Sequence, residues 1–178
     1  MMEKETKFKQ TEIGQIPEDW EYGDCFVKAV ENFVDNEKFL LVNDLNERTI
    51  SHKLAEYLQK YFQDHYNVDC EYNKMLKNDK YKPKRLHLDN YIQKISTDDD
   101  KGKTVFPDIV IHTRGSDRHN FVVIEIKKKS NSSLKEKKFD FLKLKTFTTE
   151  LKYELGIYLE FDKKKVSELK FFKDGNEL

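Results

Sequence analysis

The chain has 178 residues with 33 basic against 33 acidic side chains, so its zero net charge confers no general attraction to nucleic acid or to an anionic membrane. Its 13 Phe and 9 Tyr exclude wholesale disorder, and the length fits one domain with a sizeable core over residues 24–178 behind an N-terminal arm of residues 1–23. Two cysteines without paired spacing exclude a disulfide framework or zinc knuckle, no apolar run approaches the ~20 residues of a membrane span, and the acidic start is unlike a signal peptide, which predicts a cytoplasmic protein without membrane contact.

Residues 1–23 show no periodicity; Ile13, Ile16 and Trp20 are the side chains able to pin such an arm to a core. From Asp24 onward, Phe26, Val27, Val30, Phe33 and Val34 recur at three- and four-residue intervals and predict a short packing helix. A linker through Leu40, Leu41 and Val42 leads to a stronger helix from Glu47 to Phe62, with Ile50, Leu54, Leu58 and Phe62 on one stripe. Glu47 falls at the start of that apolar stripe, where a carboxylate needs a reason. One reason is a capping box with Asp44 as N-cap; another is a place in a functional site, and the two are compatible. His52 on this helix is either a surface residue or a weak substrate contact.

Val68 to Tyr72 alternates apolar with acidic residues and predicts a half-exposed first strand, on which Glu71 is either solvated or turned to a cleft. Residues 73–103 read as loops with one short helix through Leu88, Tyr91, Ile92 and Ile95. Between Lys74 and Arg85 five Lys and one Arg oppose Asp79, a net of +5. Insertions of this length between strands are often functional.

Two Val/Ile/Phe-rich runs, Val105–His112 and Phe121–Lys127, flank the polar turn Arg114–His119 and predict a β-hairpin. With all six turn residues unpaired, Thr113 faces Asn120 and Asp108 sits opposite Glu125, their Cβ atoms roughly 5 Å apart on one face. Lys127 returns to that face, while Val122, Ile124 and Ile126 point to the other and can be buried. Two acids and one ammonium in this arrangement suit a divalent cation such as Mg²⁺, which takes carboxylate oxygens and keeps several waters. Lys127 is then placed to hold an attacking water or to offset developing charge, the chemistry of phosphodiester hydrolysis. The plainer reading makes Glu125 and Lys127 the solvent face of an ordinary hairpin, with Pro107 an edge-strand residue.

Beyond the hairpin, Ser130–Ser133 breaks the strand and caps a helix to about Leu151, with Phe139, Leu142 and Phe147 toward the core. Strands follow over Tyr153–Phe161 and Val166–Phe172. From Lys127 to Lys145 eight Lys oppose Glu136 and Asp140, a net of +6, so the neutral total conceals basic blocks able to follow a phosphate backbone. The order helix, strand, hairpin, helix, strand, strand predicts an α/β fold with a mixed central sheet flanked by helices.

Pro107-Asp108 followed 17 positions later by Glu125-Ile126-Lys127 resembles the Pro-Asp…(Asp/Glu)-x-Lys pattern of the PD-(D/E)XK nuclease superfamily. The resemblance implies a restriction-endonuclease-like αβββαβ core. It implies Asp108 and Glu125 as ligands of Mg²⁺ or Mn²⁺, the Ile126 carbonyl as a third, Glu47 as the acid that joins the metal from a preceding helix, and Lys127 as the catalytic lysine. The implied substrate is nucleic acid, DNA before RNA, contacted through Lys84 and Arg85 of the insertion and through Lys128, Lys129 and Lys143 beyond the motif. Glu47–Glu56, with Val68–Asn73 and the hairpin, also resembles a group of small bacterial proteins assigned to this superfamily. Phe8–Trp20 is similar to the opening of type I restriction-modification specificity subunits, which implies an origin in, or a partnership with, a restriction system. That leaves an alternative: a catalytically silent nuclease-fold protein serving such a system as a binding or accessory module. Many double-strand-cutting enzymes of this kind need two sites, so the resemblance is compatible with a homodimer.

Overall fold

The computed structural model describes residues 6–77, 80–86, 88, 103–104, 106–116 and 119–178. Its centre is a mixed six-stranded sheet built from β3 (Asn67–Cys70), β8 (Ile109–His112), β9 (Asn120–Lys128), β10 (Leu155–Asp162), β11 (Lys165–Lys173) and β12 (Asn176–Glu177), in the order β12-β11-β10-β9-β8-β3. All neighbours are antiparallel except β9 and β10, which run parallel and are joined by helix α4 (Leu134–Glu150). A parallel neighbour needs such a crossover, because a tight turn can only reverse the chain.

Both faces of the sheet are covered. On one, Ile109, Ile111, Val122, Ile124, Ile126, Ile157 and Leu159 pack against α1 (Gly23–Asn36) and α3 (Glu47–Phe62). Strand alternation sends Val110, Val123, Tyr158 and Phe172 to the other face, against Leu144, Phe147 and Leu151 of the α4 segment. The predicted stripes of α1 and α3 are the buried ones: Phe26, Val30, Phe33, Ile50, Leu54, Leu58 and Phe62 are fully enclosed. Each such side chain stabilises the fold by about 1.5–3 kcal/mol relative to leaving it in water.

Three local readings change. Leu40–Val42 is no linker but the end of a short helix, α2 (Lys38–Val42). The N-cap of α3 is Asn46, whose side chain accepts the Thr49 N–H at 2.8 Å, and not Asp44; Glu47 is thereby released from capping. In the insertion, a hairpin of β4 (Lys74–Lys77) and β5 (Lys80–Pro83) and a short pair of β6 (Arg85–Leu86) and β7 (Lys103–Thr104) replace the expected loops. Of the helix expected there, Leu88 is buried and Tyr91, Ile92 and Ile95 lie outside the described residues. The arm is a hairpin of β1 (Phe8–Thr11) and β2 (Gly14–Pro17), with Gly14 at φ +127° in its turn. Ile13 and Ile16 are buried in the core, and the Trp20 ring lies 5.3 Å from Phe26 and 5.9 Å from Phe171.

Because Asn46 fixes where α3 begins, Asn46→Ala is expected to cost about 1 kcal/mol, seen as a lower urea midpoint at unchanged slope. An unaltered midpoint would mean that the helix start is held by something other than this cap.

Candidate active site

The β8–β9 ladder pairs Ile109 with Ile124, Val110 with Val123 and Ile111 with Val122, then slips so that His112 faces Asn120. The expected Thr113–Asn120 pair is therefore replaced by His112–Asn120, and Phe121 is the extra residue of a bulge. Away from the turn the register is the predicted one, and carried one step further it sets Asp108 against Glu125. Asp108 Oδ2 accepts the Ile126 N–H at 2.7 Å, which ties the two strands together where the ladder ends. The next step sets Pro107 against Ile126. Proline has no N–H, so no ladder donor reaches the Ile126 carbonyl from that position.

Val123, Glu125 and Lys127 share the face covered by α4, so the acids are enclosed and Glu125 is only 3% exposed. This removes the reading of Glu125 as the solvent face of an ordinary hairpin. From α4, Lys143 Nζ reaches Glu125 Oε2 at 2.6 Å and Asp140 Oδ1 at 3.2 Å. From the first turn of α3, Glu47 Oε2 stands 3.4 Å from Lys127 Nζ, and Glu47 Oε1 accepts the Lys128 N–H at 3.3 Å. Lys127 Nζ is also 3.5 Å from Asp140 Oδ2. Four carboxylates and two ammonium groups thus converge from two strands and two helices.

Their electrostatics are unbalanced. Burial pushes the Asp108 carboxyl up to about 6, with Asp140 adding to the rise and the Ile126 N–H and Lys143 opposing it. Glu125 is raised as well, first by burial and then by Asp108 and Asp140, although Lys143 works against this. Burial disfavours both ammonium groups, yet Asp140 and Glu47 hold Lys127 above its ordinary value, and Glu125 and Asp140 do the same for Lys143. Glu125 Oε1 and Asp140 Oδ2 are buried with no hydrogen-bond partner among the described residues. An unsatisfied buried carboxylate oxygen is costly, and each one here faces the same cluster.

Glu160 on β10 shows what a structural acid looks like in this fold. It is 4% exposed, but Ser167 Oγ lies 2.8 Å from Oε1, and Tyr158 Oη at 3.2 Å and Lys137 Nζ at 3.3 Å serve Oε2. Its carboxyl is lowered: burial raises it, and hydrogen bonds from Ser167, Ser132 and Lys137 outweigh that. Glu125, no more exposed but packed more deeply, moves the other way because burial outweighs its ammonium partner Lys143.

Other expected site residues fall elsewhere. Lys128 is buried, with Nζ 3.0 Å from both the carbonyl and Oδ1 of Asp44, so it ties β9 to the α2–α3 junction. Lys84 is 1% exposed, bonded to the Tyr153 hydroxyl and set over the Tyr72 and Tyr153 rings. Neither ammonium faces solvent, where a phosphate would meet it. Lys129 is exposed, 3.6 Å from Asp162, and Arg85 is half-buried on β6. The side chains of His52 and Glu56 pair on the surface, as do those of Glu71 and Arg48, although the Glu71 N–H bonds the Asp108 carbonyl at 3.2 Å. Asp140 was not foreseen. Its signal lay in the helix pattern: Asp140, Leu144, Phe147 and Leu151 form the buried stripe of the α4 segment, while Phe139 and Leu142 are only partly covered.

No family model matches the chain, and no curated protein or solved structure is significantly similar to it. Among the described residues no three His, Cys, Asp or Glu side chains are grouped closely enough to hold a metal by themselves. The oxygen donors that would hold a cation are Asp108 and Glu125 with the Ile126 carbonyl, and oxygen donors of this kind suit Mg²⁺ or Mn²⁺ better than Zn²⁺.

A carboxyl whose folded-state pKa lies above its unfolded value favours folding while protonated; that contribution is full below the unfolded pKa near ~4 and is lost as pH rises through the folded one. For Asp108 the loss is complete above about 6. Asp108→Asn keeps an oxygen for the Ile126 N–H and removes the charge. In EDTA at neutral pH it is expected to be more stable than the wild type, by up to about 3 kcal/mol for a displacement of roughly two pH units. Urea denaturation should show this advantage shrinking toward pH ~4; a variant weaker than wild type at neutral pH would contradict the assignment.

Proposed function

We propose that the chain is a metal-dependent nuclease with a PD-(D/E)XK-type site, hydrolysing phosphodiester bonds of nucleic acid, DNA in the first instance. The observation that carries this reading is the convergence of Asp108, Glu125 and Lys127 on one enclosed face of two adjacent strands, with Glu47 entering from α3. In support, α3, β3, β8, β9, α4 and β10 follow one another in the αβββαβ order that such a core uses, apart from the small strands of the insertion.

Asp108, Glu125 and the Ile126 carbonyl would hold the cation, with Glu47 reaching it through water. When bound, it supplies a lowered pKa for a ligated water and polarisation of a phosphoryl oxygen. The remaining work belongs to the side chains. Glu47 and Asp140 keep Lys127 protonated and fix its ammonium at the mouth of the site. There it offsets the negative charge that develops on the phosphate as the water attacks. The Ile126 N–H holds one Asp108 oxygen in place, leaving the other for the cation.

A second reading, a catalytically silent nuclease fold serving a restriction system, is favoured by one observation. Lys143 already occupies the Glu125 carboxylate, and a site closed by an internal ion pair would not turn over. The arm that resembles specificity subunits is folded onto the core, so a partnership through it would use the outward side of the β1–β2 hairpin.

Purified protein incubated with plasmid, single-stranded DNA and RNA, with and without Mg²⁺ or Mn²⁺, separates the two. Cleavage that needs the metal and falls at least about a hundredfold in both Asp108→Ala and Lys127→Ala, with unchanged circular dichroism, is the expected result. No cleavage of any substrate would favour the silent module.

A further inference from the structure

We propose that Lys143, shared between Glu125 and Asp140, competes with a divalent cation for Glu125 and shifts onto Asp140 when the cation takes that carboxylate. This rests on the metal-dependent reading above and adds to it a competition built into α4.

Three independent observations carry it. The first is charge balance: once ionised, Asp108, Glu125, Asp140 and Glu47 set four negative groups against Lys127 and Lys143, so the ionised enclosure is short of two positive charges. One dication restores neutrality; a third lysine would leave it short by one. The second is the pair of buried oxygens without a hydrogen-bond partner, Glu125 Oε1 and Asp140 Oδ2, one on each acid that the lysine bridges. The Lys143 ammonium reaches one oxygen of each acid; Glu125 Oε1 is left without a hydrogen bond, and Asp140 Oδ2 has only the Lys127 ammonium at 3.5 Å. A fully structural ion pair in this fold, Glu160 with its three donors, leaves none bare.

The third is geometry. Asp140 and Lys143 are three residues apart on one helix, a spacing at which side chains meet without help from the rest of the fold. The helix is itself held by a capping box between Ser133 and Glu136 at its start and by Leu144 and Phe147 beneath it. Lys143 therefore exchanges Glu125 for full pairing with Asp140 by side-chain rotation alone. A lysine suits this better than an arginine, being a compact point charge on a flexible stem rather than a fork committed to one carboxylate.

The consequence is that the lysine keeps the acids folded when metal is scarce and sets the concentration at which metal enters. Removing it therefore tightens metal binding, which loss of a merely structural ion pair would not do.

The test compares wild type, Lys143→Met and Lys143→Arg by calorimetric titration with Mn²⁺ alone, with thermal melts in EDTA and in Mn²⁺. Lys143→Met is expected to bind Mn²⁺ at least about tenfold more tightly than wild type, since a competing charge at the ligand is gone. It should also melt lower in EDTA and gain more from Mn²⁺, while Lys143→Arg stays at or below the wild-type affinity. Equal or weaker binding by Lys143→Met, with wild type binding normally, overturns the role of Lys143 and leaves the metal site standing. Absence of Mn²⁺ binding by both overturns the metal site itself and this proposal with it. If Lys143→Met is unfolded in EDTA, recovery of its circular dichroism on adding Mn²⁺ supports the proposal, and failure to recover at millimolar Mn²⁺ overturns it.

Discussion

Charge buried between a sheet face and a helix is the constraint on which this molecule turns. Asp108, Glu125 and Lys127 lie under α4, which brings Asp140 and Lys143 down onto them, and Glu47 closes the end from α3. Placing charged groups out of water is expensive, and apolar residues of similar volume commonly serve stability as well or better. The same strand pair shows that the chain has that option, since Val110 and Val123 occupy the neighbouring positions of this face. Four acids are retained there, two of their oxygens lacking a hydrogen-bond partner, which sets the cluster apart from the fully bonded Glu160.

The rest of the fold can be understood as what holds that cluster still. Asn46 starts α3 one residue before Glu47 and frees its carboxylate to point at Lys127 and the Lys128 N–H. Lys128, turned inward to Asp44, locks β9 to the residues that lead into α3. Ser133 fixes the start of α4, and Leu144 and Phe147 seat it, so that Asp140 and Lys143 face Glu125. Rigid elements on both sides of a polar cluster are the arrangement that pre-positions groups for catalysis.

Much of this was legible in the residues, and the failures have physical causes. Counting the six residues 114–119 as an unpaired turn set Asp108 opposite Glu125; the turn also takes in Thr113, and the extra residue of the bulge restores the counted register beyond it. The bulge at Phe121 was not legible: it alters the pairing at the turn without disturbing the pattern beyond it. Lys84 and Lys128 read as phosphate contacts because a count of lysines says nothing of direction, and only the fold reveals that their stems are buried and their ammonium groups taken. Asp140 was readable in principle. A carboxylate in the buried stripe of α4 breaks the amphipathic rule much as Glu47 does at the start of α3, but among the abundant charges of that segment it passed as surface.

The proposed nuclease site would account together for the enclosure, the two oxygens without hydrogen-bond partners and the helix-borne lysine. The most direct measurement is an anomalous difference map from crystals soaked in Mn²⁺. The account predicts one strong peak bounded by the Asp108 and Glu125 carboxylates and the Ile126 carbonyl oxygen, with Lys143 drawn away from Glu125. A map with no peak there and Lys143 still seated on Glu125 would contradict it.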